Sequence, residues 1–305
     1  MNIVSLLPSA TEIVYALGLG DDLAAVTYEC DHPPEAQSKP VAVRTALPTE
    51  QPLPPGEIDR LVRERMDARE PIYQIDRELI RQIQPDLILA QDLCRVCAVP
   101  SGHVQEALDD LGTTAKVLSL DPQDLGGILG GIEEVGRATG TDARAGEVVG
   151  ALRQRIESVK RIAARLPAIR TFCMEWLDPP FAGGHWIPEM VELAGGENLL
   201  NQKGIPSQVV NWRQIADAQP EVVVFMPCGY YLPEAEEEAA AMYRVPEFRE
   251  TSAFASRNVF AVDASSFFSR PGPRIVDGLE ILAWAIHPDA FPEPGEGTVA
   301  TVAAA

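Results

Sequence analysis

Positive charge is scarce in this chain: 25 lysines and arginines stand against 45 aspartates and glutamates, a formal net charge of −20. Nucleic acids and anionic membrane surfaces are recognised through a basic footprint, so nucleic acid is excluded as a partner. No apolar run is long enough to cross a bilayer, which excludes membrane insertion. Met1 to Thr11 include no basic residue, and Pro8 and Glu12 interrupt the only apolar stretch that a leader could use. No signal peptide is therefore expected, which makes the protein cytoplasmic as written and extracytoplasmic only if a leader has been removed. Cysteine is sparse as well. Five in 305 residues do not make a disulfide framework, and an odd count leaves a thiol free, as suits a reducing compartment. The signatures of common catalysts are also missing: there is no G-x-S-x-G elbow, no H-E-x-x-H helix and no P-loop. Asp31 and His32 are an acid/base pair only by adjacency. A non-catalytic protein is expected.

What is present is an alternation of apolar runs. Met1 to Leu6 reads as a strand leading into a helix that Pro8 to Glu12 open and Gly18 and Gly20 close, and Ala24 to Thr27 as a second strand. Ile75 to Ile83 reads as a helix, Asp86 to Ala90 as a strand, His103 to Leu111 as a helix, and Lys116 to Leu120 as a strand. Strands alternating with helices predict an α/β fold with parallel sheets. Across residues 141–166, Val148, Leu152, Ile156, Val159, Ile162 and Leu166 recur at helical spacing. An uninterrupted helix there would be about 39 Å long at 1.5 Å per residue, which suits a rigid connector between two lobes. The second half repeats the first, with strands at 168–174, 222–225 and 259–262. "QPDLILA" (84–90) and "QPEVVVF" (219–225) echo each other, each with Gln-Pro-acid leading into an aliphatic strand. The expected organisation is an N-terminal lobe over 1–140 with an insertion at 44–71, a connecting helix over 141–167, a C-terminal lobe over 168–288, and a disordered tail over 289–305. The acidic run Glu234 to Glu238 reads as a solvated helix start.

In open α/β sheets ligands bind beyond the carboxyl ends of the strands. The first strand ends at Ser9, the second at Glu29, Cys30 and His32, and 87–90 at Gln91, Cys94 and Cys97. In the second half the ends are Trp176, then Phe181, His185 and Trp186, then Tyr230, and last Phe267 and Arg270. Soft donors, imidazoles and aromatic rings thus collect where a ligand cleft between two lobes would lie. The Cys94/Cys97 pair itself has four readings: thiols touching a ligand or its metal, a metal site completed by Cys30 and His103, a redox pair, or no function. The spacing to the following helix argues against the redox reading.

The stretches "IVSLLPSATEIVYALGLGDDLAAVTYECDHPPEA", "DPPFAGGHWIPEMVELAGGENLL" and "SSFFSRPGPRIVDGLEIL" resemble the class III substrate-binding proteins of ABC importers, most closely the cobalamin-binding members. The resemblance runs from residue 2 to about 287. It implies two Rossmann-like lobes bridged by one long helix, with a small-molecule metal chelate held between them. The ligand implied is cobalamin or another corrinoid, ahead of a siderophore, haem or a bare metal ion, with no cofactor required. Phe181 and Arg270 match ligand-lining positions, whereas Glu29, Gln91 and Ser207, and a position near Ala46, stand where cobalamin-binding members carry aromatics. An ABC permease partner is implied too. Glu78 matches one docking carboxylate, but the second position is Arg213, a charge that would repel the permease's arginines. A monomer is expected. Two further readings stay open beside the corrinoid one: a metal-ion receptor built on Cys30, Cys94, Cys97 and a histidine, and a thiol-dependent enzyme of corrinoid or metal handling.

Overall fold

A computed structural model describes residues 1–48, 53–68, 70–92 and 114–303. The chain divides into two compact units, Met1–Pro122 with Gly127–Val149 and Gln123–Gly126 with Gly150–Ala305. Each is a mixed α/β sheet unit.

The first unit contains strands β1 (Ile3–Ser5), β2 (Leu23–Thr27), β3 (Val41–Thr45), β4 (Tyr73–Ile75), β5 (Leu87–Ala90) and β6 (Lys116–Ser119). Their spatial order is β4-β3-β2-β1-β5-β6. All neighbours pair in parallel except β3 and β4. The central strands β1 and β5 are buried along their whole length, which is why they are aliphatic rather than alternating, with the hydrogen-bonded Ser5 at the end of β1 as the one polar member. Between β3 and β4 the chain makes an excursion that includes the helix Pro55–Ala68 and returns as an antiparallel edge strand, with Val43 opposite Ile75. The helix expected over 75–83 is shorter. Tyr73–Ile75 joins the sheet, and Asp76 caps the helix Arg77–Ile83 by accepting from the Leu79 amide at 2.9 Å. A carboxylate that satisfies a free amide of the first turn sets that boundary.

The second unit contains β7 (Ile169–Leu177), β8 (Pro180–Ala182), β9 (Gly196–Asn198), β10 (Gln208–Val209), β11 (Val222–Phe225), β12 (Val259–Val262) and β13 (Val299–Thr301). Along the sheet they run β10-β8-β7-β11-β12-β13, with β9 paired to the start of β7. The parallel core β9-β7-β11-β12 has the same order as β2-β1-β5-β6. The echo seen in the sequence is therefore topological. It is also local: Gln84 and Gln219 both end their helices in the left-handed conformation, at φ 49° and 45°. Each side-chain amide donates to the carbonyl three residues back, Arg81 and Ala216 respectively, at 2.8 Å. At Gln84 this satisfies an end carbonyl of the helix, and at Gln219 it adds to the bond that the Ala216 carbonyl already accepts from the Gln219 backbone amide at 3.1 Å.

The helix Asp142–Ala163 is continuous, about 33 Å long at 1.5 Å per residue, and the boundary between the units falls within it. Its buried stripe is Ala145, Val149, Leu152, Ile156, Val159 and Ala163. That stripe is rotated slightly from the one read off the sequence, because small alanines pack where the bulkier Val148 and Ile162 are only half-buried. The tail is not disordered over its described part. Val299–Thr301 pairs antiparallel with β12, the Val302 amide donates to Val259 at 2.8 Å, and Tyr243 Oη donates to the Val302 carbonyl at 2.9 Å. Composition suggested disorder, but the open edge of β12 offers backbone partners that outweigh the small, polar side chains.

Gly278, in the helix Ile275–Ile286, lies where a Cβ would sit 2.1 Å from the Phe267 carbonyl oxygen. Gly278→Ala should lower unfolding free energy by roughly 2 kcal/mol, since a backbone carbonyl has little room to retreat. Gly146→Ala, in an exposed helical position with open space around it, should instead raise it by about 0.5–1 kcal/mol. Urea denaturation of both variants checks the contrast.

Candidate functional site

Strand order reverses between β1 and β5 in the first unit and between β7 and β11 in the second. The crevice outside the carboxyl ends of such strand pairs is where this sheet type leaves room for a ligand. Both edges carry organised side chains.

In the first unit, hydroxyls and a thiol form a chain behind the edge. Ser5 Oγ donates to the Leu7 carbonyl at 2.9 Å and accepts from Thr11 Oγ1 at 2.9 Å. Cys30 Sγ lies 3.1 Å from Thr11 Oγ1 and 3.3 Å from Thr27 Oγ1. This ties the ends of β1 and β2 to the first turns of the helix Pro8–Ala16. Cys30 is only 4% exposed, so its thiol lies beneath the edge, not on it. Ser9 and Gln91 flank the reversal point and are buried as well. Glu29 is half-buried and accepts from Tyr28 Oη at 3.0 Å; burial first, then the Glu29 charge and this hydrogen bond, push the Tyr28 phenol pKa up. His32 is exposed. Cys94, Cys97 and His103 lie outside the described residues. Among the described residues no group of three His, Cys, Asp or Glu side chains converges as a metal site.

The second unit's edge is aromatic. Trp176 and Phe181 are opposite each other across the β7–β8 pair and so share a face, and Val209, 54% exposed, is opposite Phe181 on β10. Tyr230 meets Trp176 edge-on at 5.6 Å between ring centroids. Phe267, half-buried, lies 5.6 Å beneath the Arg274 guanidinium. The Tyr230 carbonyl accepts from the Ser265 amide at 2.9 Å, which links the loops after β11 and β12. Arg270 is buried and reaches Ser265 Oγ at 3.3 Å.

Behind this shelf, Glu175 clamps two loops. One carboxylate oxygen accepts from the Gly184 amide at 3.0 Å and the other from Ser207 Oγ. Burial raises its pKa, and those two hydrogen bonds hold the rise back. The clamp explains Gly184, where a Cβ would fall 2.2 Å from the Ser207 amide nitrogen. His185 follows in the left-handed conformation at φ 51°, with its Nδ1 3.3 Å from Gln123 Oε1 and its pKa lowered by burial. Trp186 requires a correction. Its indole is buried and donates to the Phe268 carbonyl at 3.0 Å, so it anchors the turn and does not line the edge.

Sequence reasoning missed one group altogether. Glu238 is not a solvated member of its acidic run: it is half-buried, and its Oε2 is enclosed without a hydrogen-bond partner. Burial, with the nearby Asp178 charge, pushes its pKa up to about 7. Trp176 Nε1 is likewise enclosed and unpartnered. Tyr230 adjoins both, its pKa raised to about 12 by burial and then by Glu238 and Glu234. The available signal was position: 235, 238, 239 and 242 share a helical face, and Ala235, Ala239 and Met242 are core residues.

Comparison with known proteins places this architecture. A family model described as periplasmic binding protein matches residues 3–265. An uncharacterized ABC transporter substrate-binding lipoprotein of Bacillus subtilis is 25% identical over 96% of this chain and 82% of its own. A vitamin B12-binding protein of Vibrio cholerae is 28% identical over 92% of this chain and 86% of its own. The crystal structure of the periplasmic vitamin B12 binding protein of Vibrio cholerae superposes with a TM-score of 0.67 at 27% identity, covering 93% of this chain and 96% of that one. A periplasmic heme binding protein from Pseudomonas aeruginosa has the same fold, with a TM-score of 0.73 at 20% identity and 99% of each chain covered. These matches correct the cytoplasmic expectation. The relatives are periplasmic proteins or a lipoprotein, outside the cytoplasm, so neither an odd cysteine count nor the residues Met1 to Glu12 decide the compartment.

Glu238 makes stability pH-dependent with a definite sign. Its folded pKa of about 7 lies above the ordinary 4.5, so the folded protein keeps a proton that the unfolded chain sheds, and stability falls as pH rises between those values. Glu238→Gln removes this titration. Relative to wild type, the variant should gain about 1 kcal/mol between pH 5 and pH 8, a value discounted for partial exposure. Urea midpoints of both proteins at the two pH values check it.

Proposed function

We propose, on the premise that this chain belongs to the periplasmic binding protein family, that it is the non-catalytic ligand-capturing component of an ABC importer and that its ligand is a corrinoid or a metal chelate of similar flat shape. The observation that carries the reading is the aromatic shelf of Trp176, Phe181 and Tyr230 at the strand-order reversal of the second unit. A planar macrocycle offers apolar faces of matching size, and burying an aromatic ring against such a face contributes roughly 1–2 kcal/mol. The names of the relatives support the same class, since two of them bind vitamin B12 or heme. Ligand residues proposed for the first unit are Ser9, Glu29 and Gln91, which give it a polar edge where cobalamin-binding members are aromatic. In the second unit they are Trp176, Phe181, His185, Tyr230, Phe267 and Arg270.

Docking on a permease belongs to the same reading. Glu78 is on the exposed helix Arg77–Ile83, its side chain 61% exposed and paired with Arg81. Arg213 does not present a bare cation, because its guanidinium reaches Glu250 at 2.5 Å and Asp217 at 3.4 Å. The repulsion expected at that position is therefore offset by the arginine's own carboxylate partners.

Aquocobalamin added to the purified protein should co-elute with it on gel filtration, and Trp176→Ala should weaken binding about tenfold. Failure of aquocobalamin, cobinamide and haem alike to co-elute would overturn the chelate reading.

A further inference from the structure

Around His185 the structure holds one imidazole nitrogen and leaves the other open. Gln123 Oε1 lies 3.3 Å from Nδ1. A carbonyl oxygen only accepts, so Nδ1 carries the hydrogen and Nε2 carries the lone pair. Among the described residues Nε2 has no hydrogen-bond partner. The ring is also well fixed. The His185 amide donates to the Ile205 carbonyl at 2.7 Å, and its carbonyl accepts from the Gly204 amide at 2.9 Å. The ring tilts against Trp186 at 5.7 Å between centroids, and Trp186 is anchored to Phe268. The backbone is in the left-handed region, where a residue with a side chain bears a conformational cost, although two glycines immediately precede it.

An oxygen acceptor on one ring nitrogen and a free lone pair on the other is the arrangement of a metal-ligating histidine. No second or third donor of the His/Cys/Asp/Glu type joins it among the described residues. A single imidazole does not hold a bare ion. It does suit a metal that arrives with its equatorial positions already filled by its own macrocycle.

We propose that His185 Nε2 coordinates the metal of the bound chelate from the axial direction, with Gln123 as the positioning residue that sets the tautomer. The nitrogen lone pair forms the new bond to the metal, and the water that held that axial position leaves. The inference rests on the chelate-binding reading above and deepens it. It selects, among flat metal chelates, those with an exchangeable axial site.

The test uses cobinamide carrying water on both axial faces, a corrinoid without a tethered base of its own, added to the full-length protein. Wild type should retain it on gel filtration and shift its visible spectrum to that of the nitrogen-ligated form. His185→Gly, which tolerates the left-handed backbone, should still retain cobinamide within about tenfold of wild-type affinity but leave its spectrum water-ligated. Free imidazole should then restore the shift in the variant. Gln123→Ala should bind cobinamide with a smaller fraction nitrogen-ligated. Wild-type retention without a spectral shift, or an undiminished shift in His185→Gly, would overturn the coordination while leaving the chelate reading in place. If cobinamide is not retained while aquocobalamin or haem is, the coordination falls and the chelate reading stands; if none of the three is retained, both fall.

Discussion

Parallel strands covered on both faces can carry chemistry only at their ends. In β1, β5 and β11 every residue is buried, and in β7 the central run Thr171 to Met174 is, so the interior of each sheet admits mostly apolar residues. Polar and aromatic groups that serve a ligand are pushed to the carboxyl edges, and the reversal of strand order there keeps the following chain from covering them. Among the described residues, the candidate ligand residues derive their places from that constraint.

The two edges are chemically unlike. The first unit offers hydroxyls, a buried amide and a thiol chained through Ser5, Thr11, Cys30 and Thr27. The second offers rings, with a buried carboxylate behind them. Glu175 draws the Gly184 amide and the Ser207 hydroxyl toward one point, and so fixes the loops that carry His185 and β10. Preorganisation of this kind matters for a receptor, because loops already ordered lose little freedom when a ligand arrives. Among the described residues, the enclosed and unpartnered Trp176 Nε1, Glu238 Oε2 and Arg170 Nε run against this pattern. Each costs the free protein stability that a bonded group would not.

Much of the scaffold was legible. Aliphatic runs bounded by turn residues marked the parallel strands, and the Gln-Pro-acid echo marked two equivalent helix ends before equivalent strands. The long helix was found from its apolar period, although its buried stripe was off by one position at both ends. The errors have a shared cause. The tail looked disordered because composition says nothing about a vacant strand edge nearby. Glu238 looked solvated because a run of acids hides which member faces inward. Trp186 looked like an edge residue because adjacency to a glycine turn does not reveal where an indole points.

By itself, the sequence determined the class of fold, the main strands β1, β2, β5, β6, β7, β11 and β12, and the family likeness, because periodicity and turn chemistry act over a few residues and are written locally. Only the tertiary structure decided which edge residues are buried and which are open, that Glu175 and Ser207 share a clamp, and that Gln123 stands beside His185. Those facts depend on pairings between segments tens of residues apart, and no local pattern specifies the direction of a side chain once the chain has folded back on itself.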